Sequence, residues 1–182
     1  MNAYVSLAKL AVENYVRKKK IISPPGDLPK EFLTKKSGVF VTICKKEKPR
    51  NLLRSEPKIL LRGCIGTYLP TKENIAEEII SNAIAAATED YRFGPIQEKE
   101  LPQLSYTVYI LNKPELVKNI KELNPQKYGI IVKNGLKSGL LLPSLRGVNT
   151  VEKQIFIACQ KGGINLQKEK IIIYKFTVEK YE

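Results

Sequence analysis

Apolar residues recur along this chain at two periods, and the switches between them mark out its elements. From Asn2 to about Lys20, Val5, Ala8, Val12 and Tyr15-Val16 return at helical spacing. The basic run Arg17-Lys18-Lys19-Lys20 closes that segment, where cations suit the negative end of a helix dipole. Gly38 to Cys44 and Ile59 to Gly66 read as strands, predicted to pair antiparallel across the long, polar, basic stretch from Lys45 to Lys58. Thr71 precedes the clearest helix, predicted from Lys72 to about Thr88. Its stripe of Ile75, Ile79-Ile80, Ala83-Ile84 and Ala87 carries small side chains that predict close packing onto a sheet. Leu104 to Leu111 alternates as a strand. Gly129 to Val132 and Leu140 to Leu142, around the turn residues Asn134-Gly135 and Ser138-Gly139, predict a hairpin. Asn149, with Glu152 three residues later, marks the start of a helix from Thr150 to Lys161 that Gly162-Gly163 ends. Ile172, Tyr174, Phe176 and Val178 alternate in a final strand.

The elements lack regular βαβ spacing and include two hairpin-like connections, so the pattern predicts an α+β protein with mostly antiparallel sheet and packed helices. One domain over residues 1–182 is the default for this length, and two small lobes are compatible with it, with a boundary that the sequence does not mark. Gly63 and Gly66 do not complete a GxGxxG turn and no P-loop pattern occurs, which removes the usual dinucleotide and nucleoside triphosphate motifs.

Composition narrows the chemistry further. The chain contains no histidine, so the Ser-His-Asp triad, the Cys-His dyad and imidazole-based zinc or iron sites are excluded. Three widely spaced cysteines, Cys44, Cys64 and Cys159, suggest neither a disulfide framework nor a CxxC pair, and a reducing, cytoplasmic setting is expected. No secretory pattern opens the chain and no run of 18 apolar residues occurs, so no membrane association is expected; neither is a metal or cofactor. The net charge of +13 is concentrated away from residues 61–130. It permits an anionic partner such as nucleic acid or an acidic protein, although a solvated lysine-rich surface is the preferred reading.

Two stretches could carry chemistry. In Leu61-Arg62-Gly63-Cys64-Ile65-Gly66-Thr67, the strand period of two places Arg62 and Cys64 on one face, opposite Leu61, Gly63 and Ile65. A guanidinium beside the thiol would make Cys64 a nucleophile or redox group, and Gly63, Gly66 and Thr67 would let a substrate approach; a plain buried cysteine is the competing reading. After the central helix, Glu89, Asp90 and Arg92 share a turn suited to a polar substrate or acid-base work, and equally to capping and ion pairing. Lys161 beside Gly162-Gly163 could hold an anion, with helix-end complementation preferred. Lys45, Lys46, Lys48, Arg50, Arg54 and Lys58 could grip phosphate, but no aromatic residue for base stacking stands among them.

The string LRGCIGT, the following Pro70-Thr71, the helix EEIISNAIAAATED and Arg92-Phe93 resemble the AmmeMemoRadiSam system protein A family, the AMMECR-type domain. The likeness runs on through YGIIV, GLLLPSL, TVEKQ, KGGI and YKFTVEKY, over essentially the whole chain. The resemblance implies an α+β fold with a larger lobe containing both termini and a smaller inserted lobe. It also implies a genomic partnership with a radical SAM protein and a Memo-type protein; the leading reading is an accessory or catalytic component of that redox system, binding a small polar substrate through the Arg62/Cys64 strand and the Glu89 to Arg92 turn. Neither partner's own chemistry is here, since the CxxxCxxC cluster motif and the Memo histidines are both missing. A non-enzymatic module or scaffold for an anionic partner is the alternative. The chain departs from the family's DPRFPP turn at Asp90-Tyr91-Arg92-Phe93-Gly94-Pro95, and its Lys45 to Lys58 stretch is longer than usual.

Overall fold

The computed structural model describes residues 2–47 and 58–182. The chain forms two units, one of Met1–Ile110 with Lys180–Glu182 and the other of Leu111–Glu179. The unit with both termini thus surrounds the other in sequence.

In the first unit, α1 (Ala3–Lys18) begins where the Asn2 side chain accepts the Tyr4 N–H, and ends at Lys19 in a left-handed conformation (φ 54°). The short α2 (Lys30–Thr34) follows. Strands β1 (Val39–Glu47) and β2 (Lys58–Gly66) pair antiparallel, as their patterns require. Next come α3 (Ile75–Thr88), a 3-10 turn at Glu98–Gln103 and β3 (Leu104–Leu111). The sheet order is β2-β1-β3-β8, where β8 is Val178–Tyr181. Val39, Val41 and Ile43 of β1 and Val108 of β3 project from one face and are fully buried with Ala8, Val12, Ile79 and Ala83 from the two long helices. At roughly 1.5–3 kcal/mol for each large aliphatic side chain, this alternation locks the register. Tyr4 stacks between Phe32 and Tyr181, tying the last residues to α1 and α2.

The second unit has its own sheet, ordered β4-β7-β5-β6, from β4 (Glu115–Leu116), β5 (Gly129–Asn134), β6 (Lys137–Leu141) and β7 (Ile172–Phe176). Helix α4 (Val151–Lys161) covers it over a core that includes Ile130, Val132, Leu141, Ile155 and Ala158. Sheets of antiparallel strands with packed helices make this an α+β fold. No helix among the described residues is long and apolar enough to cross a membrane.

Three boundaries differ from expectation. The central helix starts at Ile75, not Lys72, because Asn74 caps it by accepting the Glu77 N–H, while the Thr71 and Lys72 N–H groups are drawn off by the Glu78 carboxylate. The cap of α4 is Thr150, whose hydroxyl accepts the Lys153 N–H, and not Asn149. The final strand is two, β7 and β8, broken at Thr177 and belonging to different sheets.

Candidate functional site

Among the described residues β2 is an edge strand, so its outward N–H groups need partners other than a strand. Asp90, just past the end of α3, supplies one: its Oδ2 accepts the Cys64 N–H at 2.8 Å. The same carboxylate accepts Nε and Nη2 of Arg92 at 2.9 and 2.7 Å, and the Arg92 N–H at 3.2 Å. Arg92 is the main reason that the Asp90 pKa is held down to about 2, against the upward push of burial, and the Cys64 N–H adds to the effect.

A second anchor lies two residues back along β2. The Arg62 Nε and Nη2 donate to Glu100 at 3.0 Å each, Nη1 donates to the Gly94 carbonyl at 2.8 Å, and Nη2 also reaches the Pro95 carbonyl at 3.2 Å. Glu100 further accepts Lys45 Nζ at 3.1 Å and the Gln97 N–H at 3.0 Å. Arg62 first, opposed by burial and helped by Gln97 and Lys45, holds the Glu100 pKa down to about 2. Four of the five guanidinium N–H donors are thereby committed to structure.

Arg62, expected on the face of Cys64, has its guanidinium bound to Glu100, Gly94 and Pro95. Ile43 pairs with Gly63 but Cys44 pairs with Leu61, so Arg62 is the extra residue of a β-bulge. The bulge returns Leu61 to the face of Cys44 and Cys64 and turns Arg62 to Glu100. The Cys64 thiol, half-buried, lies 3.2 Å from the Thr42 hydroxyl. The Arg92 pKa is raised by Asp90 first, against burial, and in smaller part by Cys64.

The other candidates fall into distinct places. A Cβ on Gly63 would stand 2.0 Å from the Ala86 carbonyl oxygen, and one on Gly66 would stand 2.4 Å from that of Val39, so both glycines serve chain packing. The Thr67 hydroxyl donates to Glu78 at 2.6 Å. Glu78, fully buried, also accepts from the Thr71 N–H and hydroxyl and the Lys72 N–H; burial raises its pKa, but these hydrogen bonds together bring it below the ordinary value. Glu89 is exposed and lines a groove with Tyr15 and Ser81, away from the Asp90 carboxylate's contacts. Lys161 closes α4 in the second unit. Of the basic stretch, Lys45 is paired with Glu100, Lys46 and Lys58 lie in β1 and β2, and Lys48, Arg50 and Arg54 fall outside the described residues. Sequence reasoning passed over Glu100 and Thr42. The Gln97-to-Glu100 spacing of a capping box was the available signal for the first, and the β1 partner of Cys64 for the second. Among the described residues no group of three or more Cys, Asp or Glu side chains could hold a metal ion.

The two depressed carboxylates set an acid limit. Folded Asp90 and Glu100 release protons at about pH 2, against ordinary values of 3.8 and 4.5. Their stabilisation is complete above the ordinary values and lost as pH falls through the folded ones. Thermal melts are therefore expected to fall steeply between about pH 4.5 and about pH 2, and Glu100→Gln should flatten that limb. A wild-type melting temperature that is level across this window would show that neither carboxylate is held as described.

The AMMECR1 family model matches residues 5–181. A protein of Thermotoga maritima is 48% identical over 179 residues, covering 98% of this chain and 97% of its own length. One of Clostridium acetobutylicum is 41% identical over 98% of this chain, which spans 36% of that longer protein. The crystal structure of the uncharacterised protein PH0010 from Pyrococcus horikoshii matches with a TM-score of 0.85 at 34% identity, over 97% of this chain and 88% of that one.

Proposed function

This chain belongs to the AMMECR1 family, and we propose that it is an accessory or catalytic component of a radical-SAM/Memo-associated redox system that binds a small polar substrate beside Cys64. The association with those partners rests on the family resemblance. The placement of the substrate rests on one observation: the Arg92 guanidinium is tied to the carboxylate that holds the Cys64 backbone, which brings a half-exposed cation and the thiol to the same end of β2. The Arg92 side chain is 45% exposed, which leaves it able to meet an anionic group. A small molecule with an anionic end at Arg92 and an electrophilic or sulfur centre at Cys64 Sγ fits this pair. Thr42 orients the thiol through the 3.2 Å contact. Arg62 is a positioning residue that fixes the 94–100 segment and the edge of β2.

Alkylation rates of the three cysteines in the folded protein, followed by mass spectrometry from neutral to alkaline pH, test this reading. Burial pushes the Cys44 and Cys159 thiols up, so Cys64 is expected to label several-fold faster than either. Arg92→Gln should slow Cys64 alone, and Arg92→Lys should restore part of the rate. A Cys64 that labels no faster than Cys159, or a rate indifferent to Arg92→Gln, removes the proposed site.

A further inference from the structure

Helix α3 carries a second feature, independent of Cys64. Glu77, Ser81, Ala85 and the C-cap Glu89 follow at four-residue intervals and form one ridge. Twelve residues separate its ends, about 18 Å along the axis. The two middle side chains are small, so the ridge dips between its carboxylates. Tyr15 of α1, Ile21 beyond it and Ile84 wall the dip into a groove of about 390 Å³, with Lys72 near the Glu77 end. That volume lies in the usual range of small-molecule sites.

Two carboxylates, Glu77 and Glu89, line the groove together with one cation, Lys72. The chain's net charge is +13, yet among the described residues neither Glu77 nor Glu89 has an ion pair; Glu77 only caps its helix with Asn74. Glu89 also stands at the C-terminal end of α3, where the helix dipole is negative. Lys19 Nζ sits 5.4 Å from the centre of the Tyr15 ring, so the chain's own cation already takes that face and Tyr15 offers a ligand apolar contact only. The chain's overall positive charge opposes a cationic ligand at long range, but screening over about 8 Å leaves contacts inside the groove to decide.

We propose that this groove binds a linear aliphatic polyamine. One terminal ammonium meets Glu89 and the helix end, and the other meets Glu77. Methylenes lie along Tyr15, Ile21, Ile84 and Ala85, and an inner ammonium lies near the Ser81 hydroxyl. Lys72 offsets part of the charge at the Glu77 end, so Glu89 is the stronger anchor.

Isothermal titration of the full chain with spermine, spermidine and butylamine tests the assignment. The expected result is saturable one-to-one binding, tighter for the two longer, multiply charged amines than for butylamine. Glu89→Gln, which changes no packing, should weaken spermine binding several-fold, and Ala85→Trp, with its fold checked by melting, should abolish it. Cys64→Ser should leave it unchanged, so that failure here is separable from failure of the Cys64 site. Absence of saturable binding overturns the proposal. So does binding that both groove variants retain and that moderate salt removes, because that is diffuse surface attraction.

Discussion

Glu100→Ala is expected to destabilise the protein by roughly 3–5 kcal/mol, the cost of leaving a largely buried charge without its partner. Arg62 and Glu100 side chains are only 15% and 11% exposed, so little water is available to replace the lost carboxylate. The variant strands Arg62 Nε, leaves the Gln97 N–H unbonded and frees Lys45, all in one step. Typical domain stabilities of about 5–15 kcal/mol make this a large fraction of the total. The stabilisation of the pair over an apolar alternative is a separate quantity. Arg62→Met combined with Glu100→Leu removes both charges and should recover much of the loss, since desolvation of a buried pair offsets most of its Coulomb gain. Urea unfolding midpoints of the wild type, each single variant and the double variant measure both quantities. A Glu100→Ala midpoint equivalent to less than about 1 kcal/mol of loss would mean that the cluster behaves as a solvated surface pair.

The same residues show why the fold was more legible than the site. Period-two and period-3.6 patterns are repeated along an element, so α1, α3, the β1–β2 pair, β3 and the β5–β6 hairpin were readable within a few residues. The face on which a side chain emerges depends on every residue before it keeping register, and one extra residue at Arg62 breaks the period of two on which its pairing with Cys64 was read. Nothing in LRGCIGT marks the bulge; the partner of its Arg62 is Glu100, 38 residues away, in a 3-10 turn with no apolar period of its own. The cap of α3 was misplaced for a related reason. Thr71 is an adequate cap by type, but its hydroxyl donates to Glu78, buried one turn into the helix, and Asn74 caps α3. The split at Thr177 was invisible because alternation continues through it while the chain passes from one sheet to another. Local pattern thus reports which elements form, and long-range polar contacts report which side chains meet.

Gly63→Ala should be nearly as damaging as the loss of Glu100, through packing instead of charge. Gly63 lies on the helix-facing side of β2, opposite Ile43, and its missing side chain lets α3 approach until the Ala86 carbonyl oxygen would stand 2.0 Å from a Cβ. A clash with a flexible side chain would relax; this one is with backbone in the last two turns of α3, where Ala83, Ala86 and Ala87 are all buried. Relief requires moving the helix from the sheet or β2 from β1, and overpacking of this kind costs about 1–3 kcal/mol or more. The reduced freedom of the unfolded chain, worth about 0.4–1 kcal/mol in the opposite direction, does not offset it. Gly94→Ala is the control, since a Cβ there meets nothing within 4 Å and the position keeps its carbonyl for Arg62. It should lie within about 0.5 kcal/mol of the wild type. Displacement of β2 from α3 also pulls the Cys64 N–H from Asp90, which follows α3 directly. Gly63→Ala should therefore change the rate of Cys64 alkylation in the folded state, and Gly94→Ala should not. Equal stability and equal labelling in the two variants would mean that β2 is not held against α3 at this point, and the rigid frame assigned to the thiol would fall with it.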